Sequence, residues 1–214
     1  MASNELNRSK FINLIKSDLI RSKIIGNQKG AISTLEILKL PIYSQFRLTV
    51  LIRSATNKTV VLNKIAKLLL RFFYKIEIGA NVKIGHSVFF PHPMCIVIGD
   101  DSTIGDEVSI AQFSTIGGNF RKIKTRNGST QKLPIIGNKV IIGPGAVIGG
   151  PVIIGSNVII GANSVITKDI PSNCIAYGTS KLSKNRIEVD PTGAYSIISD
   201  VAHTETHNKN GTQQ

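Results

Sequence analysis

The sequence predicts a mainly β protein, a parallel β-helix shaped as a triangular prism, preceded by a short α-helical region. Three observations predict it. Isoleucine recurs with a period of six, glycine follows most of those isoleucines, and apolar residues before residue 76 recur at helical spacing.

Isoleucine stands at Ile136, Ile142, Ile148, Ile154, Ile160 and Ile166, with Gly137, Gly143, Gly149, Gly155 and Gly161 directly after the first five. Four positions after each isoleucine comes a small or branched residue: Val140, Ala146, Val152, Val158, Ser164 and Ile170. An earlier set runs Ile78, Ile84, Phe90 and then, after a slip of two residues, Ile98, Ile104, Ile110 and Ile116. A period of six matches neither the 3.6 of a helix nor the 2 of a long strand, so each unit is a short strand plus a turn. The isoleucine points inward and the small residue fills a corner. The glycine permits an unusual backbone conformation or a close approach. With three units to a coil, residues 76–171 make about five coils, and the prism as a whole spans 76–178. An ordinary β-sandwich would need alternating strands with irregular turn spacing, which this register excludes.

Residues 1–75 form the helical region. Phe11, Leu14, Ile15 and Leu19, and later Val61, Ile65, Leu68, Leu69 and Phe72, are spaced as the apolar faces of amphipathic helices, and Pro41 divides the two. Residues 179–214 are polar apart from a brief apolar patch at Tyr195 to Val201, so a loose tail is predicted.

Two interruptions stand out against so regular a repeat. From Ile116 to Ile136 the spacing is 20, and the stretch 117–134 is polar, basic and glycine-containing, an extruded loop. The slip between Phe90 and Ile98 falls at Phe89-Phe90-Pro91-His92-Pro93, so the coil is distorted where a histidine emerges.

Composition narrows the function. Tryptophan is absent and aromatics are 6%, so the core is aliphatic. Cys95 and Cys174 make neither a disulfide framework nor a metal pair. Residues 1–10 are too polar for a secretory signal, and no apolar stretch reaches the ~20 residues of a membrane span. A cytoplasmic location is expected, at most peripheral at the inner membrane. The net charge of +13 is concentrated: residues 1–75 carry 14 Lys and Arg against 3 acids, whereas 76–118 sum to −4. Such a basic arm suits contact with lipid headgroups, an acidic polymer or phosphates; without a nucleic-acid motif, nucleic acid is not expected.

The segments Ile76-Glu77-Ile78-Gly79-Ala80-Asn81-Val82-Lys83-Ile84-Gly85, Pro91-His92, Ile96-Val97-Ile98-Gly99, Thr115-Ile116-Gly117-Gly118 and Ile160-Gly161-Ala162-Asn163-Ser164-Val165 resemble serine acetyltransferases and the related enzymes that acetylate bacterial surface sugars. The resemblance covers roughly residues 60–178. It implies a left-handed β-helix, a homotrimer with its sites in clefts between prisms, and acetyl-CoA as co-substrate. It also implies that His92 is the general base taking a proton from an acceptor hydroxyl, and that Glu77 orients its imidazole. Fifteen residues separate the two, three short of an 18-residue coil, which brings Glu77 toward the edge where His92 emerges. The alternative is a surface histidine in a proline-flanked turn; the Glu77 pairing and the local slip favour catalysis. By match, Gly117, Gly118, Gly145, Ala146 and Ala162 are candidates for the pantetheine arm, and Lys168 and Lys181 for phosphates. No P-loop or dinucleotide glycine pattern occurs. No metal is expected either: His86, one unit from His92, lies on an adjacent face, and His203 and His207 fall in the polar tail, so the three converging histidines of carbonic anhydrases with such folds are missing.

The departures from the serine enzymes bear on the acceptor. They carry an acid just before the histidine and an Arg-His-Pro at the end of the loop, whereas this chain has Pro91 and Lys132-Leu133-Pro134. A zwitterion would lack partners, so a hydroxyl of a capsular or other surface glycan, or of its precursor, ranks above serine. Arg121, Lys122, Lys124, Arg126 and Lys132 of the loop, with no acid among them, are candidates for an acidic glycan acceptor. The alternatives are serine acetylation in cysteine synthesis and, in another class, a non-catalytic scaffold.

Overall fold

The computed structural model describes residues 2–25, 44–57, 59–119, 122–126, 128–178, 181–183, 186–189 and 195–198. Pro41 and the end of the apolar patch at 199–201 lie outside these. Three helices lead: α1 (Ala2–Ile25), α2 (Ser44–Ala55) and α3 (Val60–Tyr74). At Lys75 the backbone turns left-handed (φ 55°) and enters the first strand.

From Glu77 the chain winds through three parallel faces. The first stacks Glu77–Ile78, Val97–Ile98, Thr115–Gly117, Val147–Gly149 and Val165–Ile166. The second stacks Lys83–Ile84, Thr103–Ile104, Ile135–Ile136 and Ile153–Ile154; the third contains Ser109–Ile110, Ile141–Ile142, Ile159–Ile160 and Ile175–Tyr177. Five strands in the first face give five coils. Ile98, Ile110, Ile116, Ile148, Ile160 and Ile166 are fully buried, as are the corner residues Val140, Ala146, Val158 and Ser164. Ile84 of the first coil is half-buried.

Coil length follows the interruptions. Val147 pairs with Val165 at the regular 18 residues, but Glu77 pairs with Val97, so the first full coil takes 20. The Pro-His-Pro insert lengthens the very coil from which the Glu77 to His92 spacing was reckoned, so His92 falls five residues short of register with Glu77, not three. Thr103 pairs with Ile135 across the loop, which is not irregular throughout: Lys124–Arg126 and Ser129–Gln131 form an antiparallel hairpin around Gly128 (φ 74°).

Of the two reasons for glycine after isoleucine, close approach holds at Gly137, Gly143 and Gly155, whereas a Cβ on Gly149 would meet nothing nearer than 3.9 Å. Gly137 and Gly143 keep ordinary φ, but a Cβ on Gly143 would sit 2.7 Å from the Ala162 nitrogen, and one on Gly137 would sit 2.8 Å from the Gly155 carbonyl carbon. The left-handed turns fall two residues later, at Lys139 and Gly145.

The helices close the open end of the prism. Leu48, Ile52, Ala66 and Leu70 join Ile76 and Ile78 in one continuous core. First-coil carbonyls have no strand below them and are met by side chains instead: Arg53 donates to Ile84 O (2.9 Å) and Gly85 O (2.6 Å), and Lys67 Nζ to Gly79 O (2.7 Å). Arg53 also makes a buried two-point pair with Asp18 of α1 at 2.8 and 2.7 Å. Asp18 in turn accepts from the Val88 N–H (2.9 Å), so one carboxylate joins α1, α2 and the prism.

Two expectations are corrected here. The α3 stripe spaced for burial faces outward: Val61, Ile65, Leu68 and Phe72 are 51–69% exposed, while Ala66 and Leu70 meet the core. Periodicity identifies residues sharing a helix face, not which face turns inward. Residues after 178 are not all loose either. Lys181–Ser183 pairs antiparallel with Ile175–Tyr177, covering the edge of the last coil, and Arg186–Val189 pairs with Tyr195–Ile198.

Candidate active site

The edge between the third and first faces consists of four stacked turns, residues 91–96, 111–114, 143–146 and 161–164. Hydrogen bonds run up it. Cys95 N–H donates to Tyr74 O (3.1 Å), Phe113 N–H to Met94 O (3.1 Å), Gly145 N–H to Gln112 O (3.0 Å) and Asn163 N–H to Pro144 O (2.8 Å). Cys95, Phe113, Gly145 and Asn163 all take left-handed φ, between 51° and 69°, so the turns superpose. His92 stands at the lowest turn, exposed, its carbonyl accepting from the Met94 N–H (2.9 Å). The two prolines and this bond fix the backbone from which the imidazole projects.

Glu77 begins the first face next to that edge, but its carboxylate is engaged elsewhere. Arg71 of α3 pairs with it at 3.0 Å, both side chains more than half exposed, and no hydrogen bond joins Glu77 to His92 among the described residues. Arg71 stands outside the apolar pattern that marks α3, so nothing in that pattern points to it. His86 lies on the edge between the second and third faces, 3.3 Å from Asp106, away from His92. Among the described residues no three His, Cys, Asp or Glu side chains are grouped to hold a metal; His203 and His207 lie outside those residues.

The predicted cofactor residues divide. Ala162 shares the His92 edge, exposed, and its N–H donates to no group among the described residues. Gly145 shares it too, with its N–H committed to Gln112. Ala146 is fully buried and its N–H bonds Gly143 O (3.2 Å), so neither its side chain nor its amide is open to a ligand; it is a corner residue of the core. Gly117 ends a strand of the first face, and Gly118 and Lys168 lie just beyond that face, at the edge where the loop leaves. Lys181 begins the strand added after the last coil.

The loop cations divide as well. Arg126 reaches Asp169 at 2.6 Å and Lys124 reaches the same carboxylate at 3.4 Å, which joins the hairpin to the prism wall. Burial pushes the Asp169 carboxyl up, but the Arg126 hydrogen bond, the Ile153 N–H and Lys124 outweigh it and hold it below the usual range. The loop lacks acids only in sequence; the chain brings one back to it two coils later. Lys122 and Lys132 remain exposed, and Arg121 lies outside the described residues.

Two residues of the edge escaped the sequence reading. Met94 and Phe113 are 49% and 55% exposed, an apolar patch above His92. Their signal was a hydrophobic residue where a turn usually carries a polar one. An exposed imidazole, an apolar patch and an N–H without a partner among the described residues, along one edge, can bind an extended, partly apolar molecule and move a proton at one end of it.

Residues 134–168 match the bacterial transferase hexapeptide (six repeats). The prism is a left-handed β-helix of that kind. The chain is 33% identical over 135 residues to a serine acetyltransferase of Staphylococcus xylosus, covering 62% of this chain and 59% of that one. It is 39% identical over 111 residues to a serine acetyltransferase of Helicobacter pylori, covering 52% and 61%. The chain thus spans roughly 60% or less of the length of these relatives. Among solved structures, a truncated serine acetyltransferase apoenzyme matches with a TM-score of 0.67 at 23% identity, covering 85% of this chain and 74% of that one, a likeness of fold. Serine acetyltransferase isoform 3 of Entamoeba histolytica, in complex with cysteine, matches at 0.58 with 27% identity, covering 81% and 60%.

Proposed function

We propose that the chain is an acetyl-CoA-dependent O-acetyltransferase that transfers acetyl to the hydroxyl of L-serine. The observation that carries this is the stacked edge, with exposed His92 at its lower end and, three coils above, the Ala162 N–H, which has no partner among the described residues. At about 4.8 Å per coil the two lie roughly 14 Å apart, a length suited to the extended arm of coenzyme A. An imidazole nitrogen of His92 takes the hydroxyl proton as the oxygen attacks the thioester carbonyl. The carbon–sulfur bond then breaks and the thiolate leaves with the proton. Glu77 steadies the charged imidazole after leaving Arg71, at little cost because an exposed ion pair is worth about 0–1 kcal/mol. Three chains form the active unit, and the outward apolar row Val97, Val147 and Val165 supports that assembly. A cytoplasmic location suits the co-substrate.

The sequence alone ranked a glycan above serine. The names of the relatives support the opposite order, and nothing in the comparisons bears on a capsule. A glycan hydroxyl remains the second reading because Pro91 and Lys132-Leu133-Pro134 stand where the resembled enzymes hold their amino acid. Mixing the purified chain with acetyl-CoA and following free thiol tests both. Serine-dependent release supports the first reading; release only with an acidic oligosaccharide replaces it with the second. No release and no acetyl-CoA binding leaves the scaffold.

A further inference from the structure

The outward face of α3 is a large apolar surface that none of the described residues covers. Around this helix, Val61, Ile65, Leu68 and Phe72 form a stripe along its length, each more than half exposed. The stripe continues into an open groove of about 620 Å³ between α2 and α3, lined by Phe46, Val50, Leu69 and Phe73 among others. Beside the stripe on the helix surface stand the exposed Lys64, Arg71 and Lys75, and Arg47 stands at the groove. Neither α2 nor α3 contains an acid. A stripe this wide in water requires an occupant.

We infer that this face lies on an anionic lipid surface, α3 parallel to the membrane with Leu68 and Phe72 sunk to the boundary of headgroups and acyl chains. Charge selects this occupant. Arg71 is paired with Glu77, but a second copy meeting the face symmetrically would set Lys64 and Lys75 against their own duplicates, whereas anionic headgroups meet them with opposite charge. An apolar stripe flanked by basic residues on one helix is the arrangement of interfacial helices. None of the described helices is long and apolar enough to cross a membrane, so the helix lies on the surface. Each Lys or Arg held near such headgroups is worth roughly fivefold in partition. The inference does not rest on the proposed acetyl transfer, since it uses no residue of the His92 edge.

Co-sedimentation of the full chain with vesicles tests it, using phosphatidylcholine alone and phosphatidylcholine with phosphatidylglycerol in equal parts. Binding is expected to the anionic vesicles, at least about tenfold tighter than to the neutral ones and weakening with salt. Leu68→Glu with Phe72→Glu is expected to abolish it, and Lys64→Gln with Lys75→Gln to weaken it by roughly tenfold or more. All four side chains are exposed, and circular dichroism reports whether the fold is kept; should the glutamate pair fail to fold, the glutamine pair and the salt titration decide. Equal binding to both vesicles, or none to either, overturns the inference. So does a glutamate pair that binds like the parent. If the glutamate pair instead lowers the mass measured by light scattering while vesicles never bind, the face is a contact between copies and the membrane reading is wrong.

Discussion

His92 is held by its backbone, and its exposed ring has no hydrogen-bond partner among the described residues, which is the condition a general base needs before its substrate arrives. His92→Ala is expected to lower kcat by roughly 10²–10⁴ with acetyl-CoA affinity unchanged. Glu77→Gln should cost less, and Arg71→Ala should leave kcat at or above the parent, because it frees the Glu77 carboxylate. A kcat loss in Arg71→Ala as large as in Glu77→Gln would mean that the ion pair itself is what the site uses. The sequence offers the histidine and the acid as candidates; the partner that the Glu77 carboxylate takes is not in it, because that depends on which side chain of α3 reaches the carboxylate first. The glycines divide in the same way. Their positions were plain from the period, but only the structure decides between a special φ and a close neighbour. Gly143→Ala follows from that decision: its Cβ would press on the Ala162 nitrogen and, at 2.8 Å, on the Ile160 carbonyl of the next coil. A destabilisation of about 1–3 kcal/mol is expected, read as a lowered Tm.

Strands and turns of the prism were legible because each unit repeats its neighbour, so one period assigns them all. The elements that break the repeat were not. The Lys124–Arg126 and Ser129–Gln131 hairpin has no periodic signal, and its anchor, Asp169, lies 43 residues beyond Arg126. The anchor sets a pH dependence. Because the folded carboxyl of Asp169 lies below its ordinary value, its contribution is present at neutral pH and above, and is lost as pH falls through the depressed folded value. Limited proteolysis should therefore cut between 119 and 132 faster at acidic than at neutral pH, and Asp169→Asn should cut fast at both. A mutant with the parent's cleavage pattern at neutral pH would show that the hairpin is held by something else. Lys124 and Arg126 are then structural first, and neutralising them should disturb the hairpin before it changes any acceptor affinity.

A stack of coils is stable only if both ends are closed, since each end exposes a cross-section of core and a row of unpaired backbone groups. This chain closes the lower end with α2 and α3 and with three cationic side-chain bonds to carbonyls, and it covers the edge of the last coil with Lys181–Ser183. The pairing of Arg53 with Asp18 was beyond the sequence, because a buried ion pair between two helices carries no local pattern; breaking such a pair costs about 3–5 kcal/mol. The sides of the prism remain open. Val97, Val147 and Val165 point outward on the first face, with Thr115 between the first two, and that face is bounded by the His92 edge on one side and the loop on the other. An outward apolar row on a flat sheet is stabilised by covering it with another copy, and a threefold arrangement buries one such face from each chain. Light scattering on the purified chain should give the mass of three copies. Val147→Glu puts a charge in the middle of the row, at a position exposed enough not to disturb the core, and should shift the mass toward one copy. Acetyl transfer should fall with it if the cleft between chains completes the site. A Val147→Glu protein that stays trimeric would move the interface to another face, and a fully active single copy would remove the trimer from the mechanism.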